Sequence, residues 1–305
     1  MLNSLVVWRV VDGKRGHERQ TQGLLYALQQ QFALQTFDVQ RLMPVKALWS
    51  LLTGHYYGAK KELPRPAIIT GAGHGTHLTM LAASRAFGAK TIVLMRPSLP
   101  LSCFDLCIIP EHDSVLAQNV LSSKGALNPV HAATQKDPRL GLILLGGLSR
   151  HYEWDDAVIM RQLIDLVVYH REVDWLISTS PRTPEGILNL LRDVHLTNVT
   201  IAGYHEVDAD WLPNKMAIAS YVWVTPDSVS MVYEALTAEA SVGVFDLVAK
   251  PGSKVAHGIA DLLSHQYVTA YRDWEKHRVL SPAHITFNES ARCAQWIKQH
   301  WFPEH

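Results

Sequence analysis

The chain has 305 residues, 48% of them hydrophobic and 18% charged, a balance that folds and a length that favours two domains of ordinary size over one core. Lys plus Arg and Asp plus Glu both total 28, so no net field draws the protein to nucleic acid, while 16 histidines make its charge responsive to mild acid. Three cysteines, Cys103, Cys107 and Cys293, fit neither a zinc knuckle nor a redox pair and read as a reducing compartment.

In chain order, short apolar runs alternate with helical patterns, which predicts an α/β protein with parallel sheets. In the first half, strands are expected at Leu5–Val11, Leu34–Val39, Ala67–Thr70, Thr91–Met95 and Leu106–Ile109. Helices are expected at Glu18–Gln31 and at His77–Phe87, the latter stopped by Gly88. From Ser114 to Pro138 the pattern dissolves into turn-forming residues, so a boundary is set near 135. Alternation then resumes with strand Leu140–Leu145, helix Trp154–His170, strand Trp175–Ser178, helix Pro184–Val194, strands Val199–Ala202 and Tyr221–Val224, helix Ser228–Leu236 and strand Val242–Phe245. The predicted division is 1–135, 136–270 and a helical tail, 271–305, able to cross back onto the first domain. The N-terminus enters a strand with no basic leader, and no apolar run reaches bilayer length. A cytoplasmic protein follows, or one peripheral to the inner face of the membrane. Cys103 and Cys107 are expected as small core residues.

The loops after the strands carry the chemistry. Asp12-Gly13-Lys14-Arg15-Gly16-His17-Glu18 ends the first strand; Gly16 permits close backbone approach and His17 is a candidate general base. The other reading is a capping turn with a solvated histidine. Gly71-Ala72-Gly73-His74-Gly75-Thr76-His77 repeats the arrangement, with His74 and His77 able to hold an acceptor or an anion; a metal is not expected, because no third ligand is evident. Arg96 suits a carboxylate or phosphate. Glu111 is the second catalytic candidate, with a solvated loop residue as its alternative.

In the second half, Gly146-Gly147-Leu148-Ser149-Arg150 follows a strand, and the turn's N–H groups are expected to form an anion nest for a diphosphate. Ser180, Arg182 and Thr183 recur in the same place one unit later, before a helix, where an arginine and a helix N-terminus favour phosphate. Ser228 and Ser230 open the helix carrying Glu234, a carboxylate able to accept from ribose hydroxyls; an N-cap and a surface glutamate are the plainer readings. Met43 to Lys61 mixes Leu, Trp and Tyr with three lysines, as a stretch lying on a membrane surface does, core packing being the alternative.

These motifs, with R-P-S-L-P, F-D-L-C-I-I-P-E-H-D, T-S-P-R-T-P and V-T-x-D-S-V-S-M-V-Y-E-A, resemble the elongated-mitochondria family from Trp8 to about Phe245. More distantly, Gly16-His17, Gly146-Gly147-Ser149 and Ser228-Ser230-Glu234 resemble the glycine and serine turns of GT-B glycosyltransferases, such as the lipid-linked N-acetylglucosaminyl transferase of peptidoglycan synthesis. The resemblance implies two Rossmann-like domains, a nucleoside-diphosphate sugar as donor substrate with no cofactor, and metal-independent inverting transfer in the interdomain cleft. The acceptor class it suggests is a lipid-linked or cell-envelope glycan. One departure is the stretch Thr237-Ala238-Glu239-Ala240-Ser241, where such proteins continue with Gly and Pro. The rival class is a non-catalytic scaffold that recruits a partner, as the namesake's fission role suggests. An epimerase working through a bound dinucleotide lacks its strand-linked G-x-G-x-x-G.

Overall fold

The computed structural model describes residues 4–58, 63–208, 210–282 and 287–303. The chain forms two compact units, one of residues 1–129 with 289–305 and one of residues 130–288. The boundary thus falls at 129/130 rather than near 135, and the expected tail, 271–305, divides between the units. Of that tail, 283–286 and 304–305 lie outside the described residues.

The first unit is a six-stranded parallel sheet built from β1 (Leu5–Val11), β2 (Leu34–Gln40), β3 (Ile68–Ala72), β4 (Lys90–Leu94), β5 (Leu106–Pro110) and β6 (Val120–Ser123), in the order β2-β1-β3-β4-β5-β6. Period-two alternation sends Val7, Ile68, Ile92 and Ile108 to one face, and Trp8, Ile69, Val93 and Cys107 to the other. Helices cover both faces, as parallel sheets require. Leu24 and Leu28 of α1 (Arg15–Gln29) pack on the first face, Met80 and Ala83 of α3 (His77–Phe87) on the second. α2 (Pro44–Thr53) lies between them in sequence and ends at Gly54, φ 73°.

The last helix, here α10 (Glu289–Trp301), belongs to this unit: its Cys293, Ala294 and Ile297 enter the α1 face. Polar contacts fix the return. Ser290 Oγ donates to the Asn128 carbonyl (2.9 Å), and Glu289 accepts from the Lys124 N–H (2.9 Å). β6 was not expected, because its VLSS run is short and only Ser123 is buried; tertiary pairing with β5 makes it a strand. Cys107 is buried as expected, but Cys103 is exposed, since it sits in the turn before β5 rather than in the strand.

The second unit repeats the plan with β7 (Asp137–Leu144), α4 (Asp156–Tyr169), β8 (Asp174–Ser178), α5 (Glu185–Asp193), β9 (Val199–Ala202), α6 (Trp211–Ile218), β10 (Ala219–Val224), α7 (Val229–Thr237), β11 (Ser241–Val244), α8 (Lys254–Ser264), β12 (Thr269–Ala270) and α9 (Tyr271–His277). Its parallel order is β12-β11-β10-β7-β8-β9. Leu142 and Leu144 face one helix layer, Ile143 and Leu145 the other. α6 escaped the periodicity reading because Pro213 interrupts it; proline is tolerated in a first turn, where its missing N–H is an orphan anyway. A parallel crossover from β9 to β10 demands some such connection.

Candidate functional site

In an open parallel sheet, ligands bind outside the carboxyl ends of the strands. At that edge of the first unit, β1 runs into Asp12 and a tight turn at Gly13, φ 80°. The turn's own carboxylates fill its first donors: Lys14 N–H gives to Asp12 Oδ1 (3.2 Å) and Gly13 N–H to Glu18 Oε1 (3.1 Å). Gly16 lies in the first turn of α1, exposed, and a Cβ there would meet nothing within 4 Å. The first turn of α1 thus leaves open space over its backbone.

His17, one residue further, contacts Asp12 through Nδ1, 2.9 Å from Oδ2. The Asp12 side chain is 3% exposed and that of His17 18%. Burial alone would raise the Asp12 carboxyl, but hydrogen bonds from His17 and the Lys14 N–H outweigh it and hold the group below its ordinary value. An ionised carboxylate only accepts, so the Nδ1 proton of His17 points to Asp12, and in the neutral form of such an imidazole Nε2 is the nitrogen that carries the lone pair. The ring rests on Gly73, φ 77°, where a Cβ would lie 2.2 Å from His17 Cε1. This glycine is required twice, by its conformation and by the ring against it. His74 follows, exposed, in a short 3-10 turn. Arg41, just after β2, approaches Gly75 alongside Asp12: an added Cβ there would lie 3.4 Å from its guanidinium and 3.5 Å from Asp12 Oδ2.

Not every candidate of this unit joins that group. His77 is 2% exposed and edge-on to Phe104. Burial and the neighbouring His74 pull its pKa down, and at 2% exposure it is a core residue rather than one open to an acceptor or anion. Its Nδ1 lies 3.4 Å from Ser98 Oγ. Arg96 is exposed beside Met95, whose φ of 72° is unusual for a residue with a Cβ. Glu111 is exposed at the end of β5, three strand positions from β1. At about 4.8 Å per strand that is roughly 14 Å, too far to serve His17. The carboxylate that does serve it, Asp12, was quoted in the motif but not singled out; its signal was the i, i+5 pairing of an acid at a strand end with a histidine in the next helix.

The corresponding edge of the second unit is filled from within. Gly146 N–H donates to Thr225 Oγ1 (2.8 Å), Gly147 N–H to Asp227 Oδ2 (3.0 Å), and Leu148 N–H to the Arg182 carbonyl (3.1 Å). The nest expected from Gly146-Gly147 therefore has its donors engaged by side chains and backbone of the same unit. Gly147, φ 148°, lies so close to the next loop that a Cβ would sit 1.9 Å from the Arg182 carbonyl oxygen. Ser180 and Thr183 staple these loops: Ser180 N–H donates to Thr183 Oγ1 (2.8 Å), and both hydroxyls reach the Gly146 carbonyl. Asp227 is fully buried and pairs with Arg182 (2.9 Å). Burial raises its carboxyl above the ordinary value against the pull of Thr225, Arg182 and the Gly147 N–H, and its Oδ1 has no partner.

Ser149 Oγ accepts from the His151 and Tyr152 N–H groups (3.1 and 3.2 Å), while Arg150 is exposed and donates to His151 Nε2 (3.2 Å). Ser228 stands at the N-cap of α7, but its side chain caps nothing, and Ser230 is exposed. That terminus keeps orphan donors and the positive end of its dipole. Arg182, whose side chain is 42% exposed, supplies the positive charge paired with Asp227. Glu234 is 8% exposed, so it lies on the buried side of α7 and is not an open ribose ligand. Among the described residues, no group of three or more His, Cys, Asp or Glu is placed to hold a metal, and no helix is long and apolar enough to cross a membrane.

Two Rossmann-like units with parallel sheets and glycine turns at their carboxyl edges define a GT-B-like α/β protein. The chain belongs to the family described as Mitochondrial fission ELM1, which matches residues 15–301. An uncharacterized protein of Rickettsia prowazekii (strain Madrid E) is 22% identical over 298 residues, covering 78% of this chain and 82% of its own. Among solved structures, one from Listeria monocytogenes described as a UDP-N-acetylglucosamine 2-epimerase aligns with a TM-score of 0.58 at 10% identity, over 99% of this chain and 98% of that one. The glycotransferase of kitacinnamycin aligns with a TM-score of 0.53 at 11% identity, over 98% and 99%. At such identities the likeness is one of fold. Epimerase and transferase share it, so the fold does not choose between them.

Proposed function

We propose that the protein is a nucleoside-diphosphate-sugar-dependent inverting glycosyltransferase of the cytoplasm, with no resident cofactor. The single observation that carries this reading is the Asp12–His17 pair at the end of β1, made through His17 Nδ1. Asp12 holds the tautomer; His17 takes the proton of an acceptor hydroxyl as that oxygen attacks the anomeric carbon, and the bond from that carbon to the diphosphate breaks. Base catalysis of this kind contributes about 10²–10⁴-fold. On the donor side, the open N-terminus of α7, with Ser228, Ser230 and Arg182, is suited to the departing diphosphate. Gly146, Gly147, Ser180 and Thr183 shape that edge without offering donors. The acceptor class proposed for that hydroxyl is a lipid-linked or cell-envelope glycan.

A second reading, a non-catalytic two-unit scaffold, is favoured by the engaged Gly146 and Gly147 amides and the buried Glu234. Thermal-shift screening with UDP-, GDP-, ADP- and CMP-sugars separates the two. The transferase reading expects one of them to raise the melting temperature, and His17→Ala to lose at least about 10²-fold in transfer while that shift persists. Silence with every nucleotide leaves the scaffold; turnover retained in His17→Ala removes the base.

A further inference from the structure

α2 is built inside out. Its two buried residues are Ala47 and Ser50, both small. Its large apolar residues Val45, Leu48, Trp49 and Leu52 follow the i, i+3, i+4, i+7 spacing of one helix face, and with Met43 they are 54–79% exposed. A helix that packed for the sake of its own unit would bury these side chains. Contiguous exposed apolar residues of this kind mark an interaction surface.

We infer that the outer face of α2 seats on an anionic lipid surface, with Val45, Leu48, Trp49 and Leu52 entering the headgroup boundary.

Charge selects this occupant. The stretch from residue 39 to residue 61 holds no Asp or Glu, and the exposed Arg41 and Lys46 flank or interrupt the stripe. Each such cation near an acidic leaflet attracts it, and tryptophan settles at the boundary. Size argues against a second copy. A ten-residue helix is about 15 Å long and about 10 Å across, so its outer face offers on the order of 200 Å², well below the roughly 800 Å² per partner of a stable protein interface. Placement adds a consequence. The helix starts at the sheet edge that carries His17: Arg41 lies beside Gly75, and the Leu42 N–H donates to Thr79 Oγ1 (2.8 Å). A surface docked there lies on the same unit as the dyad. The membrane inference itself does not depend on the transferase reading. Of the expected membrane segment, Ala59, Lys60 and Lys61 lie outside the described residues.

The test is co-sedimentation of the full chain, without nucleotide, with phosphatidylcholine vesicles and with vesicles in which about a third of the lipid is phosphatidylglycerol. The expected result is binding to the acidic vesicles alone, weakening as salt rises, and falling by about tenfold or more in the variant Leu48→Glu/Trp49→Glu/Leu52→Glu. Its melting temperature should match the parent, because the altered side chains are exposed. Should it melt early, Lys46→Glu reads the charge contribution on an intact helix and is expected to weaken binding severalfold. Equal binding by these variants, equal binding to neutral vesicles, or no binding to acidic ones overturns the inference. So does a lipid-free dimer that the triple substitution splits, which would assign the face to a second copy. Because the assay contains no sugar nucleotide, its failure leaves the proposed chemistry standing, and the reverse holds too.

Discussion

The first strand of each unit runs into a glycine turn, and the two turns are used in opposite ways. After β1, the Asp12 carboxylate holds one histidine through Nδ1 and accepts from the Lys14 N–H. After β7, the corresponding amides are consumed by Asp227, Thr225 and the Arg182 loop. The lesson is that a glycine-rich strand-to-helix turn identifies close backbone approach but not what approaches. In one unit the visitor is an imidazole on Gly73; in the other it is the neighbouring loop on Gly147.

Substitutions can break that contrast. The largest effect is expected for Gly147→Ala. It needs a positive φ and drives a Cβ into backbone that cannot move aside, so at least about 3 kcal/mol of stability should be lost in denaturant titration. Gly73→Ala meets a side chain instead, and the ring can swing away; a loss of about 1–3 kcal/mol is expected, with His17 detached from Asp12 and transfer falling alongside.

Titration sharpens the contrast, because the two carboxylates are shifted in opposite directions. The folded pKa of Asp12 lies below its unfolded value. The stability it adds is present above the ordinary carboxylate range and lost as pH falls through the folded value. The folded pKa of Asp227 lies above its unfolded value, so the stability it adds is present below that range and lost as pH rises through the folded value. In denaturation midpoints measured from about pH 3 to pH 7, Asp12→Asn should flatten the acid limb, and Asp227→Asn should flatten the decline on the rising side. A shared sign would refute the opposed environments. The smallest effect belongs to Gly16→Ala: with open space around the site and a helical position, a gain of up to about 1 kcal/mol is expected by thermal melting. Any loss there would mean that the turn, and not Gly13 alone, depends on a missing side chain.

Much of the fold was legible because parallel strands buried on both faces read as continuous apolar runs, such as LGLILL before Gly146, and because Gly88 marks a helix end so plainly. The elements that escaped, β6 and α6, are the ones whose local signals are weak and whose existence follows from pairing and crossover geometry. The site was legible in part. His17 and the Gly73 turn were singled out from their place after strands and lie against one another, whereas Asp12 and Arg41 were not singled out, and Glu111, named as a second catalytic candidate, lies three strand positions from β1.

The sequence by itself determined the alternation of strands and helices, the glycines at strand ends, the family and the unusual composition of residues 43–61, because each of these is set by neighbours within a few positions along the chain. Only the tertiary structure decided which donors stay free, that Asp227 is fully buried, that Glu234 faces inward and that α2 turns its large side chains outward. Those outcomes depend on which distant segments come to lie against one another, and a pattern read along one strand or one helix does not contain its partner.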